Sequence, residues 1–197
     1  MIKLLNTANN RYVFIDTETG GTDPDKHSLL SIGVCIWDIE YGILDYKEFY
    51  VENDEYVITK HAQKMNKFNI YEHEIKAMSQ IDVINSLLTF CENYFSKNVA
   101  FPLIGHNIQF DVNFLKKLFK NNNRSFNQYF SHRYIDTYSV FKTCVLAGLI
   151  DKNIDSSAEA FSYFDIKVEK RHSALGDCIA TVKLYEKLIS LLSNGCI

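Results

Sequence analysis

The sequence predicts an α/β fold, a mixed sheet flanked by helices, and three observations lead there. Apolar, β-branched segments at 11–16, 29–37 and 43–51 follow one another with short polar breaks. They read as three strands joined by tight connections, hence an antiparallel start to a sheet. From about Thr59 onward, apolar residues recur at helical spacing. Two short apolar runs, Val99 to Gly105 and Tyr134-Ile135, interrupt those helices. Strands that alternate with helices extend the sheet and cover its faces.

The elements follow in order. Asp23-Pro24-Asp25-Lys26 is a turn, with Pro24 suited to its second position. Ile39-Glu40-Tyr41-Gly42 breaks the second strand from the third. Thr59 to Asn66 is helical and basic, with Lys60, His61, Lys64 and nearby Lys67 forming either a solvated face or a patch that steers a polyanion. Ile81 to Phe95 carries a core stripe through Ile84, Leu88 and Cys91. Ile108 to Phe119 places Phe110, Phe114, Leu115 and Leu118 on one side. Thr137 to Leu149 and Ser157 to Phe164 are helical, separated by a polar loop, and the last helix spans about Ser173 to Leu192. No repeat or linker divides the 197 residues, so a single domain over 1–197 is expected.

Composition narrows the function. Hydrophobic residues make up 47% and charged residues 23%, an ordinary globular balance. No apolar run is long enough to span a membrane and no signal peptide is legible, so a membrane partner is not expected. The five cysteines are scattered, odd in number and lack a C-x-x-C pair. They read as reduced thiols of a cytoplasmic protein and argue against structural zinc. A net charge of −3 argues against broad coating of a duplex. It is compatible with a nuclease, because acidic metal ligands lower net charge while their cations attract phosphate.

The chemistry starts at Asp16-Thr17-Glu18-Thr19-Gly20-Gly21. Side chains at i and i+2 of a strand point the same way, so Asp16 and Glu18 project together from one face. A divalent cation resolves their repulsion, and hard oxygen ligands suit magnesium or manganese. Read alone, the pair is equally a solvated strand exit. Gly20 and Gly21 permit a sharp turn and close approach of another molecule.

Two further acids stand at helix starts. Asp111 closes His106-Asn107-Ile108-Gln109-Phe110-Asp111 and leans toward the apolar stripe of Leu115 and Leu118. A first-turn aspartate favours the helix dipole, which does not explain the side it faces. Asn107 is a candidate N-cap, and His106 reads as a packed or capping histidine. Asp177 follows Arg171-His172-Ser173-Ala174-Leu175-Gly176, with Ser173 a candidate N-cap. That leaves His172 in a wet loop, where an imidazole can take a proton from water at neutral pH. Lys167, Lys170 and Arg171 add local positive charge. Asp136 ends a strand directly before a helix and reads as a structural N-cap.

Together these segments resemble the DnaQ-like 3′–5′ exonucleases, the DEDDh branch of the ribonuclease H-like superfamily. The family pattern runs D-x-E near the N-terminus, H-N-x-x-F-D in the middle and H-x-A-x-x-D near the C-terminus. All three occur here in family order, between residues 16 and 177. The resemblance implies a ribonuclease H-like mixed five-stranded sheet with the first strand central. It implies that Asp16, Glu18, Asp111 and Asp177 bind two divalent metal ions, Mg2+ or Mn2+, and that His172 is the general base. The implied reaction is hydrolysis at single-stranded 3′ ends, releasing nucleoside 5′-monophosphates. Thr19, Gly20, Gly21, Met65, Asn66 and Asn107 are the expected substrate contacts. DNA is slightly favoured over RNA, although the family also holds RNA trimmers resembling ribonuclease T and oligoribonuclease. A homodimer is compatible with the family.

Ser173 departs from the family, standing where many relatives carry arginine. The chain ends soon after its last helix and has no sliding-clamp box, so a stand-alone trimming nuclease is expected rather than a proofreading subunit. The competing classes are a catalytically silent nucleic-acid-binding module and a phosphoesterase acting on small nucleotides.

Overall fold

The computed structural model describes residues 10–151, 154, 156–169 and 172–194. Lys170, Arg171 and Cys196 lie outside them.

Strand β1 (Arg11–Thr19) pairs antiparallel with β2 (Leu29–Asp38), which pairs antiparallel with β3 (Gly42–Val51). After helices α1 (Lys60–Asn66) and α2 (Ile70–Glu74), a two-residue strand β4 (Ala77–Met78) joins the edge, parallel to β3. Helix α3 (Gln80–Glu92) leads to β5 (Phe101–Gly105), parallel to β1 on its other side. Helix α4 (Gln109–Asn121) leads to β6 (Phe130–Asp136), parallel to β5. Helices α5 (Thr137–Leu146), α6 (Ser157–Tyr163) and α7 (Ala174–Asn194) complete the order. The sheet order is β4-β3-β2-β1-β5-β6. It contains the five expected strands with β1 inside, and β4 is an addition at the rim.

Both faces of the sheet are covered, which is why β1 and β2 read as apolar runs without strict alternation. Val13 and Ile15 of β1 pack with Ile84, Leu87, Val112 and Leu115 of α3 and α4. Phe14 faces the other way, toward Trp37, Cys178 and Val182, so α7 lies on that side. Helices α5 and α6 pack on the outer flank of α7 through Phe141, Phe161 and Leu184.

The helix starts follow local chemistry. Thr59 caps α1 by accepting from the Ala62 N–H at 3.1 Å, and Ser173 Oγ accepts from the Gly176 N–H at 3.1 Å as α7 begins. Asp136 caps α5, accepting from the Tyr138 N–H at 3.1 Å. The expectation for Asn107 is corrected. Ile108 occupies the N-cap position of α4 without a side-chain bond. Asn107 takes a left-handed backbone (φ 56°), and its N–H donates to Asp136 Oδ1 at 2.8 Å. Asp136 thereby caps one helix and fastens the approach to another.

Candidate active site

Parallel strands β1 and β5, and β6 beside them, end at the same rim of the sheet, and α4 starts there. Ligands of open α/β sheets gather at such carboxyl ends.

Asp16 and Glu18 leave β1 on the face covered by α7. The register sets Asp16 opposite Gly33 of β2. A Cβ on Gly33 would lie 2.2 Å from the Ala174 carbonyl carbon and oxygen. Only glycine allows the first turn of α7 to rest directly on the strand beside Asp16. That contact brings Asp177 in, and ligand oxygens of Asp16, Glu18 and Asp177 lie within 4.8 Å of one another. His172 stands just before this turn in a left-handed conformation (φ 61°), and its N–H donates to Asp177 Oδ2 at 3.3 Å.

Asp111 reaches the same rim from the opposite face, in the first turn of α4. It is 4% exposed. Its Oδ1 accepts from the Thr17 N–H at 2.8 Å and from Thr17 Oγ1 at 2.7 Å. Burial pushes its carboxyl up to about 7, the Thr17 donors pull it down, and the Asp136 charge adds to the rise. Carboxylate oxygens are hard donors, and the clustered Asp16, Glu18 and Asp177 fit a divalent cation.

A cleft of about 470 Å³ opens beside Glu18. Thr19, Gly21, Met65 and Asn66 line it, together with Phe110 and His61 of the basic patch on α1. Gly20 has another task. A Cβ there would sit 2.1 Å from the Val57 carbonyl oxygen, and its N–H and C=O bond to Ser28 and Thr59 at 2.7 Å each. Gly20 thus straps the 57–59 segment to the β1 exit. Asn107 is exposed and engages Asp136 rather than the cleft. His106 is a packed histidine, with Nδ1 3.0 Å from Thr137 Oγ1 and its ring edge-on to Tyr138.

Residues 13–185 match the RNase_T exonuclease family model. The chain belongs to this family. A curated relative, the 3'-5' exonuclease DinG of Staphylococcus aureus (strain MRSA252), is 28% identical over 178 residues, which are 88% of this chain and 17% of that protein. The family member described here thus spans about a sixth of the length of the curated relatives it matches. Among solved structures, E. coli Exonuclease I in complex with a dT13 oligonucleotide superposes with a TM-score of 0.77 at 17% identity, covering 94% of this chain and 42% of the other. The zinc-bound form of that enzyme with single-stranded DNA gives 0.73 at 18% identity, covering 94% and 43%. Cell-death related nuclease 4 gives 0.75 at 14% identity, covering 93% and 65%. These likenesses establish the fold.

Proposed function

We propose that this chain is a metal-dependent 3′–5′ exonuclease that trims single-stranded 3′ ends and releases nucleoside 5′-monophosphates. The carrying observation is the Asp16, Glu18 and Asp177 cluster, with Asp111 at the same rim and a nucleoside-sized cleft beside Glu18. DNA is the favoured substrate, supported by the dT13 complex of the similar Exonuclease I.

Asp16, Glu18, Asp111 and Asp177 would hold two divalent cations, Mg2+ or Mn2+. When bound, these supply Lewis-acid stabilisation of the phosphate charge and acidify water. His172 takes the proton of the attacking water on an imidazole nitrogen, and its loop position keeps that nitrogen within reach of solvent. Thr17 fixes one oxygen of Asp111. Met65 and Phe110 offer apolar walls to the terminal base, while the Thr19 to Gly21 backbone approaches its sugar. Among the described residues all the cysteines are free thiols and no helix is long and apolar enough to cross a membrane. The thiols support a cytoplasmic setting.

The test is a time course on 5′-labelled single-stranded DNA and RNA oligomers with Mg2+, Mn2+ or EDTA. The expected result is a ladder shortening from the 3′ end, faster on DNA and abolished by EDTA. No cleavage of either polymer in either metal would overturn the reading.

A further inference from the structure

The loop that leaves β1, residues 20–28, folds back on itself at a histidine. A Cβ on Gly21 would lie 2.6 Å from His27 Cγ and 2.7 Å from Cδ2 and Nδ1. The imidazole therefore rests on the Gly21 backbone, closer than a residue with a side chain would allow. The Asp23 N–H donates to His27 Nδ1 at 3.0 Å, and the His27 N–H donates to the Asp23 carbonyl at 2.8 Å. A backbone amide can only donate. Nδ1 must keep its lone pair, so the ring that closes this loop is the neutral imidazole with its proton on Nε2.

The ring supports a wall of the substrate cleft. Gly21 and Thr22 line the cleft beside Glu18. The Gly21 carbonyl accepts from Thr19 Oγ1 at 2.7 Å, so Gly21 is gripped between Thr19 and the imidazole. The charged groups of the turn come in pairs of opposite sign. Asp23 pairs with Lys26 at 2.9 Å, and Asp25 with Lys117 of α4 at 2.6 Å. Among the described residues that share a small cavity with His27, Lys117 is the only charged one, and α3 and the 51–53 segment contribute the uncharged Gln80, Val51 and Asn53. A proton on Nδ1 sets two N–H donors against each other. The ring must then turn or Asp23 must move, and either loosens the seat of Gly21.

We propose that His27 is a positioning residue for the terminal nucleotide: its neutral imidazole holds the Gly21–Thr22 wall in the shape that the nucleotide binds, and protonation releases that wall. The proposal rests on the exonuclease reading above. Because His27 acts through Gly21 and not on the reacting atoms, its titration belongs in KM, whereas that of the general base belongs in kcat.

The experiment follows KM and kcat on a single-stranded DNA oligomer at saturating Mg2+, from about pH 8 to about pH 5.5, the range in which imidazoles take their proton. It compares the wild type with His27→Asn and His27→Phe. Asparagine offers Oδ1 near the place of Nδ1 and does not titrate. Phenylalanine keeps a ring on Gly21 and has no acceptor. Wild-type KM should rise as pH falls, by about two- to tenfold, the factor that one hydrogen bond is worth. The asparagine variant should keep the low KM at every pH, and the phenylalanine variant the raised one. In amide 1H–15N spectra, which need no activity, the Gly21 resonance should move with the ring titration in the wild type and stand still in His27→Asn. A Gly21 resonance that ignores that titration, or a wild-type KM that stays level in an active enzyme, would overturn the positioning role alone. A protein whose Gly21 resonance follows His27 but which cleaves no oligomer in Mg2+ or Mn2+ would overturn the exonuclease reading instead.

Discussion

Thr17 holds one carboxylate oxygen of Asp111 twice, through its backbone N–H at 2.8 Å and its hydroxyl at 2.7 Å. The pair joins the two faces of the sheet, since Thr17 points away from its neighbours Asp16 and Glu18. Its hydroxyl orients an acid proposed to bind metal, without being a ligand in that proposal. Thr17→Val keeps the shape and removes one donor. Lost orienting bonds of this kind weaken metal affinity by about 10–100-fold. The Mg2+ concentration for half-maximal activity should rise accordingly, and Thr17→Ser should restore it. An unchanged Mg2+ titration for the valine variant would remove Thr17 from the site.

Asp111 carries a stability cost when no cation is bound. Its folded value, about 7, lies above the ordinary 3.8, with burial the main cause. The folded state therefore holds its proton more tightly than the unfolded chain. Stability contributed by the protonated form is present below about pH 4 and lost as pH rises through about 7. In EDTA, wild-type melting temperature should fall between pH 5 and pH 8 more than that of Asp111→Asn. The asparagine variant should also melt higher at pH 8 and gain little from Mg2+. Parallel pH profiles for the two proteins would contradict this account.

At Gly33 the first turn of α7 rests directly on the backbone of β2. A methyl group there meets the Ala174 backbone at 2.2 Å, and backbone cannot step aside as a flexible side chain can. Gly33→Ala should cost about 1–3 kcal/mol of stability, as overpacking usually does. It should also lift the turn that carries His172 and Asp177 away from Asp16, so kcat should drop further than any loss of folded protein explains. Activity normalised to folded fraction, read with circular dichroism, separates the two effects. Full activity per folded molecule would show that α7 tolerates the shift.

The strands were legible because burial on both faces leaves continuous apolar runs, as in Leu29 to Trp37. The i,i+2 spacing of Asp16 and Glu18 placed them on one face, and three motifs in family order pointed to Asp111, His172 and Asp177. What escaped depends on partners distant in sequence. Thr17 and Asp111 are 94 residues apart, and nothing local to either announces the bond. Gly33 sits in an ordinary strand run and acquires its meaning only from Ala174 above it. Asn107 carries a good capping side chain, yet Asp136, 29 residues on, binds its backbone in a left-handed turn. Strand β4 is two residues held by pairing with Tyr50 and Val51, too short for any periodicity to register.

Asn66 was expected to touch substrate, and its side chain has a second duty. Asn66 Nδ2 donates to the Thr19 carbonyl at 3.0 Å, tying the end of α1 to the β1 exit at the wall of the cleft beside Glu18. Removing that donor loosens the wall without altering the acids. Asn66→Ala loses one hydrogen bond, worth about 0.5–1.5 kcal/mol, so KM should rise by about two- to tenfold with kcat less affected. Asn66→Asp is nearly the same size but turns an acceptor toward the Thr19 carbonyl and adds a negative charge to the cleft proposed to take the polyanionic substrate. It should raise KM more than the alanine does, and the gap should narrow at high salt as the charge is screened. Equal KM values for the two variants would mean that Asn66 serves only as a contact surface and not as a latch.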